Sequence, residues 1–149
     1  MKKILFLFLI LISFNSNAQC DFNLDDLLNL MVSNSSEYET KILTKGYEYD
    51  SKSDTYFCDL SKKPFRITKR FQLDKFYGFH YSTYSKENYL DIKKRIVDMK
   101  FTFSKEVPIR NTKGLLYIAN NIHITLFTET IDLVPNYNIL IQIDLLKTD

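Results

Sequence analysis

Tyr137, Ile139, Ile141, Ile143 and Leu145 occupy every second position near the end of a 149-residue chain. A period of two is that of a β-strand with one buried face, and no helix places such a set on one side. It commits the chain to a sheet and to an apolar layer over that sheet. The layer is legible at the other end. Asn23 stands as N-cap with Asp26 three residues on, and Leu24, Leu27, Leu28 and Met31 follow the i, i+3, i+4, i+7 stripe of a helix. Ser36 with Glu39 repeats the capping pattern for a second helix carrying Tyr38, Ile42 and Leu43, and Gly46 stands where a C′ glycine belongs.

After Gly46 the period changes. Tyr47 and Tyr49 alternate with Glu48 and Asp50, the polar turn Ser51 to Asp54 follows, and strands are predicted at Thr55 to Asp59, Arg66 to Phe71 and Phe76 to Tyr84. Ser85 caps a third helix with apolar residues Tyr89, Ile92, Ile96, Val97 and Met99. Strands at Lys100 to Ser104, Leu115 to Ala119 and Ile122 to Thr128 precede the last one. Asn120-Asn121 is a two-residue connection suited to a type I′ turn. Pro64, Pro108 and Pro135 fall between predicted elements, where they remove no ladder hydrogen bond. Helices outside a run of hairpins mean an α+β fold, with helices packed on an antiparallel meander sheet. The echo of Lys45-Gly46-Tyr47-Glu48-Tyr49 in Met99-Lys100-Phe101-Thr102-Phe103 allows two helix-plus-sheet units, within a single domain over 19–149.

Residues 1–18 read as a signal peptide. Lys2 and Lys3 precede an apolar run from Ile4 to Ile12, and Ser16 and Ala18 supply the small residues before a cleavage site. The mature chain is then expected in the periplasm or outside the cell. Cys20 and Cys58 are the two cysteines. In an oxidising compartment they form a disulfide closing a loop of 37 residues, or Cys20 is instead the acylated first residue of a lipoprotein. The two fates exclude each other, and membrane contact is expected only with the second.

The formal charge of +2 offers no general case for nucleic-acid binding, and removing Lys2 and Lys3 leaves 18 basic against 18 acidic residues. That neutrality hides segregation along the chain. Residues 19–61 hold three basic and nine acidic side chains, residues 62–113 fourteen and five, and residues 114–149 one and four. The basic middle is read either as a solvated face or as a patch for a protein with an acidic surface. In the second reading Lys69, Arg70, Lys93, Lys94 and Arg95 make the contact, with Tyr77, Tyr81 and Tyr84 as amphipathic anchors.

Motifs for catalysis are absent. There is no Gly-x-Ser-x-Gly elbow and no glycine-rich phosphate loop. His80 and His123 each sit mid-strand without a His or Cys at ligand spacing. Neither catalytic residue, metal ligand nor cofactor site is expected, and the two histidines read as packed or surface strand residues.

The signal ending Asn17-Ala18-Gln19, the capped helix pair leading into Lys45-Gly46-Tyr47 and the Asn-rich strand ends resemble small exported proteins of Gram-negative bacteria, among them periplasmic immunity and inhibitor proteins. The helix-plus-meander order is similar, at the level of plan, to the tandem units of β-lactamase inhibitor proteins. The resemblance carries over no site residue. It implies an exported, non-catalytic protein-binding module that neutralises a toxin enzyme. The alternatives are an envelope-associated structural protein or lipoprotein and, after these, a small hydrolase.

Overall fold

The computed structural model describes residues 20–58, 65–73 and 75–146. The signal reading of 1–18 and Pro64 lie outside the described residues. Two helices, α1 (Leu24–Val32) and α2 (Ser35–Thr44), precede β1 (Glu48–Asp50), β2 (Thr55–Cys58), β3 (Phe65–Thr68), β4 (Phe71–Leu73) and β5 (Phe76–Thr83). Then α3 (Lys86–Asp98) leads to β6 (Thr102–Ile109), β7 (Thr112–Ala119), β8 (Ile122–Ile131) and β9 (Val134–Asp144). All strands join one nine-stranded antiparallel sheet in the order β1-β2-β3-β5-β9-β8-β7-β6, with β4 beside β5. The expected α+β fold is therefore present, and its two helix-plus-meander runs share a sheet through their last strands.

The caps explain the helix ends. Asn23 accepts the Asp26 amide at 2.8 Å, as its position predicts. For α2 the capping box is Asn34 with Glu37, two residues before the expected Ser36 and Glu39. The cause is the short link: α1 stops at Ser33, so Asn34 is already the residue entering the next helix. Gly46, at φ 89°, closes α2 by donating to the Leu43 carbonyl while Tyr47 donates to that of Ile42. The same closure ends α3. Lys100, at φ 63°, donates to Val97 and Phe101 to Ile96. The sequence echo is thus a repeated turn, with a lysine where the first copy has glycine.

Three strand expectations need correction. The run Arg66 to Phe71 is broken at Lys69 and Arg70 into β3 and β4, because the Lys69 amide turns to the Asp54 carbonyl and the Arg70 guanidinium donates to the Leu30 carbonyl at the end of α1 and to the Tyr77 hydroxyl. Pro108 lies within β6 rather than between elements. It is tolerated because β6 is an edge strand, where a missing N–H need not face a partner. Pro135 lies at the second position of β9, opposite Thr130 at the hairpin end.

The core lies between the helices and one sheet face. Phe79, Ile141 and Ile124 form one row across β5, β9 and β8, and Tyr81, Ile139 and Leu126 form the next; all six are buried. Leu24, Leu27, Leu30 and Met31 of α1 and Ile92 and Ile96 of α3 cover them, so Leu30 is buried and the expected Leu28 packs at the margin. The segment before α1 is latched into this core. Cys20 forms the disulfide with Cys58, the Tyr47 hydroxyl donates to the Cys20 carbonyl at 2.5 Å, and Asn88 donates to the Phe22 carbonyl at 3.0 Å. A buried disulfide fits an extracytoplasmic protein. No helix of the described residues is long and apolar enough to cross a membrane.

Two stability outcomes follow from these closures. Replacing both cysteines by serine should lower stability by roughly 3–4 kcal/mol, read as a drop in thermal midpoint that reducing agent reproduces in the wild type but not in the variant. Lys100→Gly should raise the midpoint by an amount worth up to about 1 kcal/mol, since glycine adopts the left-handed conformation without the Cβ penalty.

Candidate functional site

Side chains alternate across a strand, so the rows that build the core have a counterpart on the face away from the helices. There Ser82 of β5 stands opposite Asn138 of β9 and His80 opposite Leu140. This second face is partly enclosed, for Thr125, Phe127, Asn136 and Asn138 are all buried. The enclosure comes from curvature. Ile109 and Arg110 at the end of β6 share a cavity with Phe71, His80, Phe127 and Leu140. Gly114 lets β6 and β7 fold inward: a Cβ there would fall 2.7 Å from the Thr125 methyl and 3.1 Å from Ile109.

Beside this fold lies a groove of about 560 Å³. Thr55, Arg66 and Thr68 form one wall, His80, Ser82 and Asn138 the floor, and Asn136, Glu129 and Ile131 the other wall. The floor is a connected polar chain. Asn138 donates its amide to the Asn136 carbonyl at 3.0 Å, which leaves its oxygen to accept from His80 Nε2 at 2.9 Å. The imidazole stacks on Phe127 at 5.7 Å between centroids, and the His80 amide donates to Thr68 Oγ1 at 3.0 Å. Burial holds the His80 pKa below its ordinary value. The Asn138 bond and Glu129 act the other way, and Arg110 adds to the lowering. The ring is therefore neutral at pH 7.

A groove that joins a histidine to a carboxylate and a serine is where hydrolase chemistry would be sought. His80 Nε2 is engaged by Asn138, and among the described residues no hydrogen bond links the ring to Ser82. Among the described residues no group of three or more His, Cys, Asp or Glu is placed to hold a metal ion.

The sequence-predicted contact residues do not form one surface. Tyr81 is fully buried, and its hydroxyl donates to Asn88 at 2.9 Å, so its ring is part of the core. Arg70 and Tyr77 do meet, at 3.0 Å, but Arg70 also lies 4.4 Å over the Tyr38 ring and caps α1. Lys69 pairs with Asp54 at 3.2 Å over the ring of Tyr49, and these two partners raise its pKa. Arg95 grips Asp25 through two bonds of 2.9 and 3.2 Å. Tyr84 is half-buried beyond β5. Lys93 and Lys94 enter no ion pair among the described residues and lie on the outer side of α3, Lys93 half-buried and Lys94 exposed.

Three ion pairs offset part of the charge segregation. The pairs Lys69–Asp54, Arg95–Asp25 and Lys75–Asp144 each join the basic middle of the chain to one of its acidic ends. On α3, Glu87, Asp91 and Asp98 stand among the lysines. What the sequence reading missed is the groove itself. Its one linear signal is the polar alternation of Asn136 and Asn138 with the apolar residues of the last strand, while Arg66 and Glu129 are brought to it only by strand order. No protein family model, curated protein or solved structure matches the chain.

The buried His80 sets an acid limb on stability. A pKa lowered by folding means the unfolded chain binds the extra proton, so stability is full above the unfolded value of about 6.5 and falls as pH drops through it. His80→Gln keeps a donor toward Asn138 without a titrating ring. Its denaturant midpoint should fall less than that of the wild type between pH 7 and pH 5, whereas equal slopes would remove His80 as the source.

Proposed function

We propose that the protein is an exported, non-catalytic binding module that neutralises a toxin enzyme, in the manner of immunity and inhibitor proteins, and that the β8–β9 hairpin beside the groove is its leading contact. One observation carries the reading. Leu133 is 95% exposed at the hairpin tip and holds φ 65°, next to Asp132 at φ 49°. Two left-handed residues make a type I′ turn, for which Asn-Gly is the favoured pair. Folding alone favours neither a leucine in that backbone conformation nor its side chain in water. Ile131 and Val134 flank it, 42% and 48% exposed. An apolar tip of this shape enters a pocket on a partner, where its burial offsets both penalties.

The acidic partner surface expected from the sequence rests now on Lys93 and Lys94, since Lys69 and Arg95 are engaged by Asp54 and Asp25 and Arg70 by the Leu30 carbonyl. The lipoprotein alternative needs the sulfur that the Cys20–Cys58 bond occupies.

Affinity capture from envelope fractions, run in parallel with the wild type and Leu133→Gly, tests the reading. The variant relieves the backbone and should melt at or above the wild-type temperature, while the protein retained by the wild type is depleted about tenfold or more, as expected when an interface anchor is removed. Equal retention by both would remove the hairpin as the contact. A captured enzyme that keeps full activity in the complex would overturn the inhibitor role.

A further inference from the structure

The groove contains two charged side chains without an ion-pair partner among the described residues, Glu129 acting on His80 through its charge alone. Arg66 and Glu129 line it, and among the described residues neither side chain enters a hydrogen bond or ion pair. Asp50, the third charged residue on its walls, is taken up locally. Its carboxylate accepts the Ser53 hydroxyl at 2.7 Å and the Lys52 amide at 3.0 Å, contacts that lower its pKa. Opposite charges facing one cavity would ordinarily be brought together, as Arg95 and Asp25 are elsewhere on this molecule.

Strand register shows why these two are apart. Arg66 stands opposite Ser82, Ser82 opposite Asn138 and Asn138 opposite Phe127, with Glu129 two residues further along β8. Three interstrand steps and that offset separate the two positions by about 15 Å along the sheet, the span of an extended segment of about four to five residues. Between them the floor presents the Ser82 hydroxyl, a group that matches backbone N–H or C=O, beside Asn138, whose carboxamide is already taken by His80 Nε2 and the Asn136 main-chain carbonyl.

We propose that the groove binds an extended peptide segment bearing an acidic side chain toward Arg66 and a basic side chain toward Glu129. The charges select the segment and its direction, and the Ser82 hydroxyl meets its backbone. The proposal rests on the reading of this face as a binding surface and names the chemistry of what it takes.

The test uses the whole mature chain and end-capped pentapeptides, so that only side chains carry charge. Acetyl-Asp-Ala-Ala-Ala-Lys-amide and the reversed Acetyl-Lys-Ala-Ala-Ala-Asp-amide are titrated while backbone amide resonances are followed. The neutral Acetyl-Asn-Ala-Ala-Ala-Gln-amide is the control. One charged peptide should shift the amides of Arg66, Ser82, Asn136 and Glu129 saturably and bind about tenfold more tightly than the control, a ratio suited to a charge-assisted pair. Arg66→Gln and Glu129→Gln should each remove that advantage without changing the melting temperature. The double variant R66E/E129R should transfer the preference to the reversed peptide. The proposal is overturned if no peptide saturates below about 10 mM, the range of the weakest specific contacts. It is equally overturned if the shifts map away from the groove, or if preference survives the double variant. Partner capture that still depends on Leu133 in that event would leave the inhibitor reading standing and this segment chemistry wrong.

Discussion

The antiparallel pairing of β5 with β9 is the contact on which the remainder of the structure depends. It runs from Phe76 opposite Asp144 to Thr83 opposite Tyr137 and is the seam between two meanders. On one side it carries Phe79, Tyr81, Ile139 and Ile141, the middle of the core; on the other, His80, Ser82 and Asn138, the floor of the groove. Gly78 sets how closely the two strands approach. A Cβ there would lie 2.3 Å from the Ile141 carbonyl oxygen, so the seam admits no side chain at that position. One ladder thereby fixes the packing of the helices and the shape of the opposite face, and neither is adjustable without the other.

Much of the fold was legible because local signals agreed with the final packing. The caps Asn23 and Ser85, the C′ glycine Gly46 and the alternation of Tyr137 to Ile143 each act over a few residues, and each is found where expected. The failures were of another kind. Arg70 reads in sequence as a surface base, yet the carbonyl it meets belongs to Leu30, forty residues earlier. Tyr81 reads as an anchor because tyrosine is amphipathic, but Asn88 and Phe22 supply its hydroxyl with buried partners, so the whole ring is taken inside. Arg66 and Glu129 come from distant segments, and only the order of four strands makes them neighbours across one cavity.

The charge pattern has the same origin. The acidic ends and the basic middle of the chain meet at three ion pairs. Lys75 reaches Asp144 across the β5–β9 seam, and Arg95 of α3 reaches Asp25 of α1. The Arg95–Asp25 pair is exposed on both sides and adds little to stability, whereas the carboxylate that Lys75 meets is buried.

The position of β9 has a consequence for how the molecule is made. Its partner β5 is complete by Thr83, yet the residues that pair with it begin only at Tyr137, after α3 and three further strands. During synthesis β5 therefore spends an interval as an open strand edge, and its closure waits for the residues of β9. Non-local pairing of this kind slows folding and exposes the intermediate to association with other chains. The Cys20–Cys58 bond falls wholly within the part already emerged. It can secure the first meander and its helices while the second is still arriving, so oxidation can precede and guide the final strand rather than merely record it.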